Sequence, residues 1–162
     1  MRRDAKTAEC WWTGAVCAVA LAVGAAAAEP PDGAAAVRRA VQGLIAADNA
    51  GDLEAAVAHY APDAVLLPPS GPPIETREAI EPIYRAMFER YELDLAVTFE
   101  EVGIGGDWAW CRGTTTGRME PRAGAAAEVE PRDVHDKFLM ILAPGPDGAW
   151  RITTLMWNPV PG

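Results

Sequence analysis

The sequence predicts an α+β domain in which three helices come first and pack on a curved antiparallel sheet formed by the later strands. Apolar residues recur at helical spacing from Ala34 onward, and from Leu93 onward they alternate with polar residues, as in half-buried strands. Helices followed by a series of strands are typical of α+β domains. A hydrophobic content of 50% with 23% charged residues indicates one folded domain and excludes a disordered chain.

The first 28 residues have the features of an export signal. A basic start with Arg2 and Arg3 precedes an uncharged run over residues 13–28, which is shorter than the ~20 residues of a membrane-spanning helix. The run ends in three alanines, as the small-x-small rule for signal cleavage requires. We therefore predict a signal peptide over residues 1–28 and an exported protein, periplasmic or secreted, with no membrane attachment after cleavage. An uncleaved N-terminal anchor is the alternative.

Net charge, cysteine content and missing motifs limit the partners, disulfides and cofactors that the sequence predicts. The formal net charge is -9, and the basic residues form no cluster, so a nucleic-acid partner is not expected. Cys10 and Cys17 lie in the predicted signal, so Cys111 has no disulfide partner in the mature domain. Phosphate loops, dinucleotide fingerprints and convergent metal ligands are absent from the sequence, and we predict no cofactor and no metal.

The first predicted helix begins near Ala34, after a short linker over residues 29–33 that contains two prolines and a glycine. Its apolar stripe is formed by Val37, Val41, Leu44 and Ile45. Asp48 is assigned to the polar side of this helix, off the stripe. The helix ends near Gly51, which suits the left-handed position that follows a helix.

Two further helices follow at short spacing. Asp52 can cap a second, short helix that runs through Tyr60, and Thr76 can cap a third, amphipathic helix. Pro82 lies in the second turn of the third helix, where it removes a backbone hydrogen bond, so we expect a tight or irregular first turn.

The strands are predicted from alternation and from turn residues. A short strand over residues 64–67 is closed by the proline-rich segment 68–73, which cannot occupy a central ladder position. Four longer strands follow, at Leu93–Glu100, Trp108–Met119, Asp133–Leu142 and Ala149–Asn158. A curved sheet that wraps three amphipathic helices leaves a cavity between the two layers, and this cavity is the expected ligand site.

Several short motifs, in a fixed order over about residues 34–159, carry a family resemblance. They are Ala50-Gly51-Asp52-Leu53, Tyr60-Ala61-Pro62-Asp63-Ala64-Val65, Pro68-Pro69-Ser70-Gly71, Arg77-Glu78-Ala79-Ile80 and Asp147-Gly148-Ala149-Trp150-Arg151-Ile152. With them the chain resembles the nuclear transport factor 2-like superfamily, in its SnoaL-like and ketosteroid isomerase-like branch, and above all its small exported members of unknown function. The resemblance implies a cone-shaped, half-open barrel over residues 34–160 and a homodimer formed through the outer sheet face.

The catalytic positions of the steroid isomerases are only partly present. The position of their carboxylate base falls on Pro68, and that of their oxyanion-binding tyrosine falls on Leu44; neither residue can transfer a proton or donate a side-chain hydrogen bond. The third position, an acid in the penultimate strand, is retained as Asp136. Asp136 is therefore the one candidate catalytic residue. A structural role remains open, in which Asp136 pairs with an arginine on a neighbouring strand: Arg112, Arg118 or Arg132.

These observations predict an exported domain that binds a small, apolar organic molecule in its cone without a complete catalytic set. The candidate ligand-binding residues are Tyr60, Tyr84, Trp110, Phe138, Met140 and Asn158. An acid-base enzyme of the isomerase, cyclase or hydratase type that uses Asp136 is the first alternative. A non-catalytic dimerisation module is the second.

Overall fold

The computed structural model describes residues 33–126 and 128–161. The predicted signal peptide and most of the predicted linker lie outside these ranges. Within them, the helices are too short or too polar to cross a membrane.

Three helices pack on a six-stranded sheet, which confirms the predicted α+β class; α1 and α2 precede all strands, and α3 follows the first two. The helices are α1 (Gly33–Ala50), α2 (Leu53–Ala58) and α3 (Arg77–Arg90). The strands are β1 (Tyr60–Leu67), β2 (Ile74–Glu75), β3 (Tyr91–Gly105), β4 (Trp108–Pro121), β5 (Arg132–Pro144) and β6 (Trp150–Pro159). Their order in the sheet is β2-β1-β6-β5-β4-β3, so the sheet ends at β2 and β3 and does not close.

The sheet is mixed, and the prediction of a purely antiparallel sheet was wrong at one strand pair. β1 runs parallel to β6, whereas β3, β4, β5 and β6 form antiparallel neighbours. A parallel pair needs a long crossover connection, and here the whole chain from β2 to β5 supplies it. β1 also begins at Tyr60, so α2 ends earlier than predicted. Pro62 falls where the β1–β6 register shifts between Tyr60 and Val65, a place where a missing N–H is tolerated.

Local signals at the helix ends behave as predicted. Gly51 adopts a φ of 65° between α1 and α2, and the Asp52 side chain accepts a hydrogen bond from the first turn of α2. At α3, two successive amides of the first turn donate to the Thr76 carbonyl oxygen, which makes that turn tight. The helix then continues through Pro82 to Arg90.

The core lies between the helices and the inner face of the sheet. From α1 it takes Val37, Val41 and Leu44, and from α3 it takes Ile80, all at most 2% exposed. The sheet contributes alternate residues of its strands, among them Ala109, Cys111, Phe138, Met140, Leu142 and Ile152. Burial raises the pKa of the Cys111 thiol to about 12, so this side chain acts as a small apolar core residue.

Candidate functional site

A cavity of about 610 Å³ lies between α1, α3 and the inner face of the sheet. Much of its wall is apolar and comes from both layers, with Leu44, Leu66, Met87, Phe138, Met140 and Trp157 among the lining residues. This volume lies within the range of small-molecule sites. The cavity forms where the predicted amphipathic helices meet the predicted inner sheet face.

Asp48 is the most unusual polar residue of the cavity. It lies near the end of α1, lines the cavity and is only 6% exposed. Its Oδ1 atom has no hydrogen-bond partner in the part of the chain that the structure describes. Burial raises the pKa of this carboxyl to about 7, because loss of contact with water disfavours the charged form.

The assignment of Asp48 to the polar side of α1 was wrong. Positions 37, 41, 44 and 48 are spaced by four, three and four residues, so Asp48 continues the stripe that Val37, Val41 and Leu44 begin. The sequence contained the evidence for this placement, because a carboxylate stands at a position of the apolar helix stripe.

Two tyrosines lie next to each other beside the cavity. The hydroxyl oxygens of Tyr60 and Tyr84 are 2.6 Å apart, and the ring of Tyr84 also makes an edge contact with Phe88. Tyr84 lines the cavity, whereas Tyr60 is fully buried behind it. Burial raises the pKa of both hydroxyls, so both tyrosines stay protonated at neutral pH.

The hydroxyl hydrogens of the two tyrosines differ in the acceptors that they can reach. The two groups share one hydrogen bond, so one of the two hydrogens must find another acceptor. If Tyr84 donated to Tyr60, the fully buried Tyr60 hydrogen would have no acceptor among the described residues, which is costly. Donation from Tyr60 to Tyr84 avoids that cost and leaves the Tyr84 hydrogen free to bind an oxygen atom in the cavity.

Asp136 lies on β5 and lines the same cavity as Asp48. Val134 and Phe138, two residues away on either side, line it as well. Burial raises the pKa of the Asp136 carboxyl, and the nearby charges of Arg132 and His135 partly oppose that rise. The side chain of Asp136 is half-buried, whereas that of Asp48 is buried.

The arginine pairing considered for Asp136 is not present among the described residues. Arg112 binds Glu100 and Glu101, and Arg118 binds Glu120 and Asp133. The positive charge of Arg132 partly opposes the rise in the pKa of the Asp136 carboxyl, but the two side chains form no ion pair.

The predicted ligand-binding residues divide into two groups. Tyr84, Phe138 and Met140 line the cavity, whereas Tyr60, Trp110 and Asn158 do not.

Strand alternation places both Trp110 and Asn158 on the outer sheet face, away from this cavity. On β4 the inward position belongs to Cys111, and the indole of Trp110 lies over Gly103 on β3. On β6 the inward position belongs to Trp157.

A helix-backed, half-open sheet with a cavity on its concave side defines the class of this protein as a cone-shaped α+β domain. The chain belongs to the SnoaL-like domain family, whose model matches residues 41–138. No curated protein matches the sequence significantly.

Solved structures share this fold at low sequence identity. A ketosteroid isomerase-like protein from Erwinia carotovora atroseptica is 23% identical, with a TM-score of 0.70 over 82% of this chain and 100% of that one. A candidate dehydratase of the nuclear transport factor 2-like family from Streptomyces avermitilis is 16% identical, with a TM-score of 0.67 over 79% and 96% of the two chains. A candidate calcium/calmodulin-dependent protein kinase II association domain from Xanthomonas campestris is 23% identical, with a TM-score of 0.64 over 77% and 86%. At these identities the likeness shows the fold alone.

Proposed function

We propose that this domain binds a small, largely apolar organic molecule in its cavity and transfers a proton on it, with Asp48 as the group that accepts or donates the proton. The observation that carries this proposal is the Asp48 side chain, which is buried, lines the cavity and has an oxygen without a partner among the described residues. The reaction class would be that of an isomerase, cyclase or hydratase.

The environment of Asp48 suits proton transfer. A carboxyl whose pKa lies near the working pH is populated in both protonation states, which is the condition for efficient general acid-base catalysis. Such catalysis is typically worth ~10²–10⁴-fold in rate. A buried carboxyl without a partner also destabilises the fold, and groups of this kind concentrate at functional sites.

Asp136 and Tyr84 complete the polar groups that we assign to the site. Asp136 is less buried than Asp48, so the two carboxyls differ in environment and can take different roles as acid and base. Tyr84 supplies a neutral hydroxyl that can hold a ligand oxygen while the proton moves. Asp136, which the sequence predicted as a catalytic residue, is therefore the second proton carrier in this proposal.

The test uses 2-tetralone, a compact bicyclic ketone with an acidic C–H group, incubated with the protein in D2O. We expect the protein to accelerate deuterium exchange at that carbon, measured by NMR, and expect Asp48→Asn to remove at least 90% of the acceleration, in line with the range for a general base. Asp136→Asn should reduce the rate less. Asp63→Asn, at an exposed position on β1, is the control.

Two results would overturn the proposal. One is an equal exchange rate in the wild type and in Asp48→Asn. The other is binding of 2-tetralone without any acceleration, which would leave a domain that binds a ligand without transforming it.

We also propose that the domain is exported and works as a homodimer. The outer sheet face supports the dimer, because Leu139 and Met156 are register neighbours on β5 and β6 and are 36% and 39% exposed. Adjacent exposed apolar residues in the middle of a sheet are typical of protein contacts. A second copy of this chain, packed through the same face, would cover both side chains.

A further inference from the structure

We propose that Arg90 and Arg132 form an anion-binding pair at the solvent-exposed end of the cavity, and that the ligand is therefore an apolar molecule with one carboxylate group. This inference rests on the proposed function, because it names the class of molecule that the same cavity receives.

Both arginines line the cavity and are exposed to solvent. Arg90 is the last residue of α3, and its guanidinium lies 5.9 Å from the centre of the Tyr91 ring. Arg132 is the first residue of β5 and lies beyond Asp136, the first β5 residue in register with β6. Around Arg132 the sheet therefore lacks β6 and is three strands wide, formed by β3, β4 and β5, and this end of the cavity is open.

The strand register places the two arginines at the same end of the cavity. Leu93, Met119 and Arg132 occupy one row across β3, β4 and β5, since Met119 is the register partner of both of the others. With strands ~4.8 Å apart, the backbone of Leu93 lies ~10 Å from that of Arg132. Arg90 precedes Leu93 by three residues. Those three residues add at most ~10 Å to the distance between the backbones of Arg90 and Arg132. Both side chains are long and line the same cavity, so they can converge on one anion across that gap.

Neither arginine has a carboxylate partner within ion-pair distance among residues 33–126 and 128–161, although acids outnumber bases by 23 to 14 in this chain. Glu89, next to Arg90, and Glu130, two residues before Arg132, form no ion pair with them among the described residues, and Asp133 and Glu92 contact other arginines. Arg118 binds Asp133 at 2.6 Å, and Arg122 lies 3.8 Å from Glu92. The backbone of Asp136 lies four residues further along β5 than that of Arg132, ~13 Å in an extended strand. The charge of Arg132 partly opposes the rise in the pKa of the Asp136 carboxyl, but the two side chains form no ion pair. Within the described residues no carboxylate forms an ion pair with either guanidinium, so both can bind an anion from outside the protein.

A carboxylate fits this arrangement best. A guanidinium donates two parallel hydrogen bonds to a carboxylate, and its charge makes each of them stronger than a neutral hydrogen bond. With the carboxylate held at the exposed end, the apolar body of the ligand points along the apolar wall toward Asp48. The same anchor would orient one carbon atom of the ligand toward the buried carboxyl.

The test compares 2-naphthylacetate with 2-(2-naphthyl)ethanol, two probes of the same carbon skeleton that differ in charge, by calorimetric titration at low salt. We expect the acid to bind about tenfold more tightly than the alcohol. Arg90→Gln and Arg132→Gln should each weaken binding of the acid by about fivefold and leave binding of the alcohol unchanged. Arg39→Gln, at an exposed position on α1, is the control, and 0.5 M salt should reduce the preference for the acid.

Equal affinity for the two probes, binding of neither, or a preference that survives in the double glutamine variant would overturn the inference. 2-Naphthylmethylphosphonate separates carboxylate from phosphate recognition, and tighter binding of the phosphonate would overturn the choice of carboxylate. The proposed function fails independently, through unchanged deuterium exchange on 2-tetralone in Asp48→Asn. A preference for the acid that depends on the two arginines would survive that failure.

Discussion

The side-chain amide of Asn49 forms two hydrogen bonds with the backbone of Leu95. Its Nδ2 donates to the Leu95 carbonyl oxygen at 2.9 Å, and its Oδ1 accepts from the Leu95 amide at 2.8 Å. The side chain thereby continues the hydrogen-bond pattern of β3 on the free edge of the sheet and fastens the end of α1 to that edge. Asp48 precedes Asn49 directly, so this clamp also holds the buried carboxyl in the cavity.

Replacing Asn49 with alanine removes both hydrogen bonds. We expect Asn49→Ala to lower the free energy of unfolding by about 1–3 kcal/mol, because each bond contributes roughly 0.5–1.5 kcal/mol. Urea denaturation measures the change. Asn158→Ala, at a residue whose side chain forms no hydrogen bond within the described structure, is the matched control and should change stability by less than about 0.5 kcal/mol. An equal loss in both variants would contradict the role of the clamp.

The buried carboxyl of Asp48 makes stability depend on pH. Its pKa is raised from 3.8 to about 7 in the folded state, so the folded protein holds this proton over a pH range in which the unfolded chain has lost it. This contribution to stability is complete at low pH and is lost as the pH rises from about 4 through about 7. We expect Asp48→Asn to remove this dependence and to raise the free energy of unfolding at pH 8 by up to about 4 kcal/mol.

Urea denaturation at pH 5 and pH 8 measures this prediction, with Asp63→Asn as the control. The effect of Asp48→Asn should be larger at pH 8 than at pH 5. The same benefit at both pH values would show that the carboxyl does not titrate in this range.

The outer sheet face should hold the proposed dimer. We expect the protein purified without its predicted signal to sediment as a dimer at micromolar concentration. The double variant Leu139→Lys with Met156→Lys should sediment as a folded monomer, because four lysines would meet across a self-complementary contact. Glu78→Lys on α3 changes charge away from this face and should remain dimeric. A wild-type monomer at these concentrations would exclude the dimer.

The predicted signal peptide should direct export in a bacterial host. We expect the exported fraction to contain a protein whose intact mass corresponds to a chain beginning at Glu29. Ala26→Lys should block processing, because the cleavage rule requires small residues at this site. An exported or membrane-bound product that retains residues 1–28 would instead indicate an anchor.

Features that depend on neighbouring residues could be predicted from the sequence. Gly51 and Asp52 marked the boundary of the first two helices, and Thr76 marked the start of the third, because turns and caps involve atoms only a few residues apart. Alternation predicted four long strands, although each extends beyond its predicted bounds at one or both ends. Residues 74–75, two residues long, form a strand that no periodicity indicated.

The sequence by itself determined the α+β class, the order of the elements and the inward position of Phe138 and Met140, because periodicity within one segment sets which side chains share a face. Only the tertiary structure decided which segments meet. It paired β1 in parallel with β6, brought the hydroxyl of Tyr60 to 2.6 Å from that of Tyr84, and enclosed Asp48 beneath α3 and the sheet. The physical reason is that burial, hydrogen bonding and the pKa of a carboxyl depend on atoms that are distant in the chain and become neighbours only in the fold.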